Sequence, residues 1–177
     1  MTLHTGPQCS LDKNPTSGSP SASTLAAFVG NVLSTTCASS SSDNTGCAFS
    51  NPDSSSYGQG FNDIGGGVFA HLWDPSGIKI WNFKRSSIPQ DIASGNPDPT
   101  SWPTPVAFWS SPACDMASTF IDHSLVIDTT LCGDWAGNAF GSSGCPGTCA
   151  DAVAKASNFN SAYFFFFSML SPVVNRY

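Results

Sequence analysis

Residues 67–83 read Gly67-Val-Phe-Ala-His-Leu-Trp-Asp74-Pro75-Ser76-Gly77-Ile-Lys-Ile-Trp-Asn-Phe83, and this stretch decides the fold class. Two runs rich in β-branched and aromatic residues, 68–73 and 78–83, flank Asp74-Pro75-Ser76-Gly77. Pro after Asp presets a turn dihedral and Gly closes the turn, so the stretch is predicted to be a β-hairpin. On its second strand Ile78, Ile80 and Asn82 share one face, and Lys79, Trp81 and Phe83 share the other. The preceding Gly65-Gly66-Gly67 calls for left-handed dihedrals or a close backbone approach.

Outward from the hairpin the chain alternates between loop composition and short apolar runs. Residues 2–5 read as a short β segment, and 10–24, rich in Ser, Pro, Gly and Thr, as loop. Residues 25–33 fit a strand or a short helix equally. Residues 34–60 read as a long polar loop, which Cys37 and Cys47 are placed to staple. Residues 88–105 hold five prolines and read as irregular. Residues 123–131, with Leu125, Ile127 and Thr129 alternating against Val126 and Asp128, read as a second strong strand, and 149–156 as two turns of helix. Strands joined by Gly- and Pro-rich connections, with few helix formers, predict one all-β domain, a sandwich or barrel.

Composition narrows the function. The chain has 177 residues, of which 10% are charged, and a net charge of −6 from six Lys and Arg against 12 acidic residues. Six scattered cations make no basic stripe, so nucleic acid is excluded as a partner, and an anionic membrane surface is disfavoured. The longest apolar run, residues 163–170, is too short to span a bilayer. Seven cysteines beside Ser, Gly and Asn predict disulfides formed in an oxidising, extracellular compartment, with one cysteine left over. The C-x3-C at Cys145 and Cys149 has no second pair at zinc-finger spacing, so no metal or other cofactor is expected. All 12 acidic residues are Asp; there is no Glu. No basic, apolar leader opens the chain.

Several motifs in order resemble fungal secreted glycoside hydrolase family 16. They are Gly60-Phe61-Asn62-Asp63 with the glycine triplet; Gly77-Ile78-Lys79-Ile80-Trp81; Arg85-Ser86-Ser87-Ile88-Pro89; and Gly95-Asn96-Pro97-Asp98-Pro99. Asp128-Thr129-Thr130-Leu131-Cys132-Gly133-Asp134-Trp135-Ala136-Gly137 and Gly144-Cys145-Pro146-Gly147-Thr148-Cys149 follow. The resemblance implies a jelly-roll (concanavalin A-like) β-sandwich over residues 1–163, binding β-1,3- and mixed-linkage glucan on its concave face, with residues 164–177 a divergent tail. It implies retaining hydrolysis, which needs two carboxylates about 5–5.5 Å apart. In the family both are Glu in an E-x-D-x-x-E strand, and Met1-Thr2-Leu3-His4-Thr5 resembles the strand that follows it. The expectation is therefore the C-terminal half of such a domain, an incomplete sandwich with no catalytic residue of its own, monomeric if it folds. The odd cysteine would then pair within the other half.

Four residues are expected to contact sugar. By the resemblance, His4 lies beside the catalytic carboxylates; the alternative is a histidine satisfied within its strand. Trp135, in a Gly-Asp-Trp-Ala-Gly loop, is a stacking platform for sugar C–H faces or else packs over Cys132. Asn62, with Asp63, suits hydroxyl recognition, or simply a turn. Trp81, like Trp73, forms the cleft floor or fills the core. Trp102, Trp109, His71 and His123 carry no functional pattern. No G-x-S-x-G elbow supports a serine hydrolase. Three functions compete: a glucanase domain fragment inactive by itself, a non-catalytic β-glucan-binding module, and a small Cys-rich secreted structural protein.

Overall fold

In the computed structural model the described residues are 1–12, 27–124, 126 and 131–158. They fall into two compact units, Met1–Asp122 and His123–Tyr177. The first unit holds two antiparallel three-stranded sheets. In the first sheet β1 (Thr2–Leu3) pairs with β3 (Cys47–Ser50), and β3 pairs with β2 (Asn31–Ser34). In the second, β4 (Gly67–Asp74), β5 (Gly77–Lys84) and β6 (Ala107–Ser110) lie in that order.

The hairpin forms as its sequence dictates. β4 and β5 pair from Gly67↔Lys84 to Asp74↔Gly77. The Asp74 carboxylate accepts the Ser76 N–H at 2.7 Å and closes the turn from within. Gly77 is required twice over: its φ is +140°, and a Cβ there would lie 2.1 Å from the Trp109 carbonyl oxygen. Gly65 and Gly66, with φ of +76° and +78°, turn the chain into β4. A Cβ on Gly67 would meet the Phe83 oxygen at 2.0 Å, so the triplet serves both expected purposes.

Register sorts the side chains. Trp73, His71 and Phe69 stand opposite Ile78, Ile80 and Asn82, and Ile78 and Ile80 stand opposite Trp109 and Ala107. This inner face meets Cys47, Phe49 and Val32 of the first sheet in the core, which Cys9, Leu11, Cys114 and Met116 complete. Phe49, 1% exposed, contacts the edges of Phe28 at 4.7 Å and Trp109 at 5.1 Å. Each such pair adds about 0.5–1.5 kcal/mol beyond area burial. The outer face of the second sheet is covered by the proline-rich segment 88–105. Trp102 reaches Trp81 at 5.1 Å and Phe83 at 5.4 Å, and Asp91 holds the Trp102 Nε1–H at 2.7 Å. That segment contains a short helix α2 (Gln90–Ala93) and a 3-10 turn at Pro99–Ser101, so it is more ordered than its composition predicts.

Three disulfides bear out the framework, Cys9–Cys114, Cys37–Cys47 and Cys132–Cys149, with Cys145 free and exposed. Cys37–Cys47 is the staple expected for the long loop. That loop is not all loop, however: it contains β3. The strand at Asn31–Ser34 settles the open reading of residues 25–33 for its described part. Helix α1 (Gly58–Asp63) stands where a turn was expected, and α3 (Met116–Thr119) follows β6. In the second unit, α4 (Gly133–Ala139) replaces the loop expected around Trp135, and α5 (Cys149–Val153) matches the expected helix, capped by the Thr148 hydroxyl. Of the strand expected at 123–131, residues 125 and 127–130 lie outside the described residues, as do 13–26 and the tail at 164–177. No helix among the described residues is long and apolar enough to cross a membrane.

Candidate functional site

The first sheet has one face in the core and one turned away from it. Leu3, Cys47, Phe49 and Val32 point inward; alternation puts Thr2, His4, Ala48, Ser50 and Asn31 on the other side. That face is small and polar, with His4 exposed upon it. It is the kind of floor on which an extended polyhydroxylated chain can lie.

His4 is held by the disulfide loop. Thr5 N–H donates to the Cys37 carbonyl and Ser39 N–H to the Thr5 carbonyl, both at 2.9 Å, which fixes the chain immediately after the ring. His4 Nδ1 is 3.0 Å from Ser39 Oγ. Gly46 has a φ of +68°, and a Cβ on it would come within 2.7 Å of His4 Nδ1. Only glycine leaves room for the imidazole there. Within the same loop Asp43 accepts the Thr45 N–H at 2.9 Å, and Thr45 holds its carboxyl below the usual range. Cys37–Cys47 closes this ten-residue loop, so the disulfide orders the groups that orient His4. Ser39 and Gly46 were not singled out from the sequence. Gly46 beside a cysteine was the available signal.

Within the first unit, the candidates Trp81 and Asn62 do not join this cluster. Trp81 is 4% exposed, on the outer face of the second sheet, under Trp102, and its Nε1–H donates to the Pro103 carbonyl at 2.6 Å. No face of its indole is open to a sugar, and its role here is packing. Trp73 lies on the inner face of β4, 42% exposed, with Phe120 against its edge. Asn62 is exposed on α1, where its carbonyl accepts the Gly65 N–H, the turn role weighed for it. Trp135, in the second unit, is 87% exposed on α4, which excludes packing over Cys132 and leaves both indole faces to solvent.

Two acidic groups elsewhere are structural. Asp53 bridges to Lys84 at 2.7 Å and accepts Ser55 N–H and Oγ–H; Lys84 above all lowers its carboxyl to about 2. Asp91 is lowered mainly by the Asp98 N–H. Among the described residues no group of three or more His, Cys, Asp or Glu forms a metal site.

Comparison with known proteins places this arrangement in a family. The model of the XgeA-like catalytic domain of family 16 matches residues 1–170. A probable glycosidase of Schizosaccharomyces pombe is 41% identical over 167 residues, 92% of this chain and 38% of that protein. The endo-1,3(4)-beta-glucanase xgeA of Emericella nidulans is 44% identical over 119 residues, 67% of this chain and 18% of that protein. Among solved structures, laminarinase 16A of Phanerochaete chrysosporium, with β-glucans in its donor and acceptor sites, superposes with a TM-score of 0.71. The identity is 36%, over 89% of this chain and 51% of the laminarinase. The chain thus spans about half of that solved chain and well under half of these curated relatives. Its two sheets are part of a jelly-roll sandwich, and the chain belongs to glycoside hydrolase family 16.

Proposed function

We propose that this chain forms the glucan-facing wall of a β-1,3(4)-glucan-hydrolysing domain and does not supply the carboxylate pair. The observation that carries the reading is His4, exposed on the outward face of the first sheet and locked by Ser39, Gly46 and the Cys37–Cys47 loop. An imidazole fixed on a small, polar floor can hydrogen-bond a sugar hydroxyl, or a carboxylate brought beside it. Retaining hydrolysis needs a nucleophile and an acid/base about 5–5.5 Å apart. The sequence contains no Glu, and Asp74, Asp115 and Asp53 are engaged in a turn, a helix cap and an ion pair, so in this reading the chain by itself binds glucan without cleaving it. The relatives named above as glycosidase, glucanase and laminarinase support the substrate class. Three disulfides support an extracellular setting.

A second reading, a free-standing glucan-binding module, is favoured by one observation, the exposure of Trp135. Incubation of the purified chain with insoluble β-1,3-glucan tests both. Retention in the pellet without release of reducing sugar is expected. Sugar release refutes the non-catalytic role, and absence of retention refutes glucan recognition by the isolated chain.

A further inference from the structure

Strand β2 does not pair evenly with β3. Asn31 and Val32 stand opposite Ser50 and Phe49, but Ser34 rather than Leu33 stands opposite Ala48, so Leu33 is the extra residue of a β-bulge. An even register would set Ser34 opposite Cys47, in the core. The bulge keeps that hydroxyl out of the core and leaves two consecutive side chains on one face. Val32 packs against the core, so alternation turns Leu33 to the outward face, and pairing with the outward Ala48 turns Ser34 the same way.

Leu33 is 66% exposed. It is the one large apolar side chain on a face whose other described residues, Thr2, His4, Asn31, Ser34, Ala48 and Ser50, are small or polar. Thr2 pairs with Ala48 from the other side, so Thr2, Ala48 and the bulge form one row across the sheet. Ala48, in the middle of that row, is 8% exposed, with Thr2 and Leu33 both open to solvent on either side. His4 lies two residues along β1 from Thr2, on the same face. Strands lie about 4.8 Å apart, so the row carries Leu33 about 10 Å from β1.

We propose that Leu33 is a second glucan contact, an apolar patch that takes the C–H face of a glucosyl unit remote from the one at His4, and that it makes recognition depend on oligosaccharide length. The proposal rests on the reading that glucan lies on this face. A pyranose ring carries hydroxyls at its rim and C–H groups on its faces. His4 can hydrogen-bond the rim, whereas Leu33 offers only apolar area, so the two meet different parts of the sugar. A disaccharide engaged at His4 ends short of Leu33, and a longer chain laid across the strands reaches both. The bulge is the device that sets the contact: it places a leucine on the outward face of β2 without drawing a serine into the core.

The test compares laminaribiose with laminarihexaose, titrated into the full chain and followed by NMR. The unaltered chain is expected to bind the hexaose more tightly than the disaccharide. Leu33→Ser, at a site already open to solvent, is expected to weaken the hexaose about fivefold, to leave the disaccharide unchanged and to leave the thermal melt unchanged. Leu33→Met, which keeps the apolar area, is expected to retain the hexaose affinity. Full hexaose affinity in Leu33→Ser overturns the proposal while the glucan reading stands. So does an equal loss for both sugars, which marks a general disturbance of the face, and so does a self-association of the chain that Leu33→Ser abolishes with sugar affinities unmoved. Failure of the unaltered chain to bind either sugar overturns the glucan reading and this proposal with it.

Discussion

Replacing Cys9 and Cys114 by alanine tests how the first unit is held together. The bond joins the segment after β1 to the end of β6, 105 residues apart, and both cysteines are buried in the core. Beside it the Ser10 N–H donates to the Ala113 carbonyl at 3.1 Å. Cross-linking restricts the unfolded chain in proportion to the logarithm of the loop length, so this bond contributes about 4.7 kcal/mol in the chain-entropy model. Cys37–Cys47 closes only ten residues and contributes about 2.7 kcal/mol by the same relation. Total stabilities run about 5–15 kcal/mol, so the first loss removes a third or more of the whole. Alanine avoids burying a new hydroxyl, which keeps the comparison to the cross-link itself. Urea denaturation of the two double variants, followed by Trp fluorescence, should put Cys9→Ala/Cys114→Ala about 2 kcal/mol below Cys37→Ala/Cys47→Ala. Equal losses, or the reverse order, would refute the argument from loop length. Peptide mapping that pairs Cys9 with any residue other than Cys114 would refute the core itself.

Four further outcomes follow from the geometry. Gly46→Ala would place a Cβ 2.7 Å from both His4 Nδ1 and the Leu3 carbonyl oxygen at a φ of +68°, so it should displace His4 and strain the pairing of β1 with β3; loss of the Ser39 dependence of the His4 ring shifts in NMR would show it. Trp81→Phe deletes a hydrogen bond and part of the Trp102 contact on a buried ring, and should cost about 1–3 kcal/mol in a denaturant titration, without changing retention on glucan. Because Asp53 is lowered to about 2 by Lys84, its contribution to stability is full above the ordinary carboxylate pKa and is lost as pH falls from about 4 toward 2. Asp53→Asn should therefore lose stability at neutral pH and show a shallower decline over that acid window in melts against pH. Trp135→Ala should leave the melt unchanged and reduce retention on insoluble β-glucan.

How much of this was legible in the sequence depends on the physical signal each element carries. The hairpin was readable because its strands alternate and its turn has its own hydrogen-bonding chemistry at Asp74. β3 and β6 were not. They have four residues each; β6 is buried throughout and β3 carries the small Ala48 on its outward side, so the alternation of apolar and polar residues that marks a half-buried strand is absent from Cys47–Ser50 and Ala107–Ser110. α4 was missed because Gly133-Asp134-Trp135-Ala136-Gly137 has poor intrinsic helix propensity; the cross-link from Cys132 to Cys149 at its start is a constraint that local propensity does not show. The seven cysteines announced a framework, but spacing carries no information on which residues a tertiary fold brings together, least of all across 105 positions. Alternation correctly set Trp81 opposite Ile78 and Ile80. Which face is covered was decided by the folding of 88–105 over it, a long-range event with no local pattern. His4 was singled out through its motif, whereas Ser39 and Gly46, which touch it, carried no such signal.

The central claim is that glucan lies on the outward face of the first sheet, across His4. Titration of the isotope-labelled chain with laminari-oligosaccharides, followed by amide and imidazole NMR shifts, tests it most directly. The account predicts saturable shifts clustered at Thr2, His4, Ser39, Gly46 and Ser50, with the buried core residues Phe49 and Trp109 unmoved. Absence of any saturable shift, or shifts confined to residues away from that face, would contradict it.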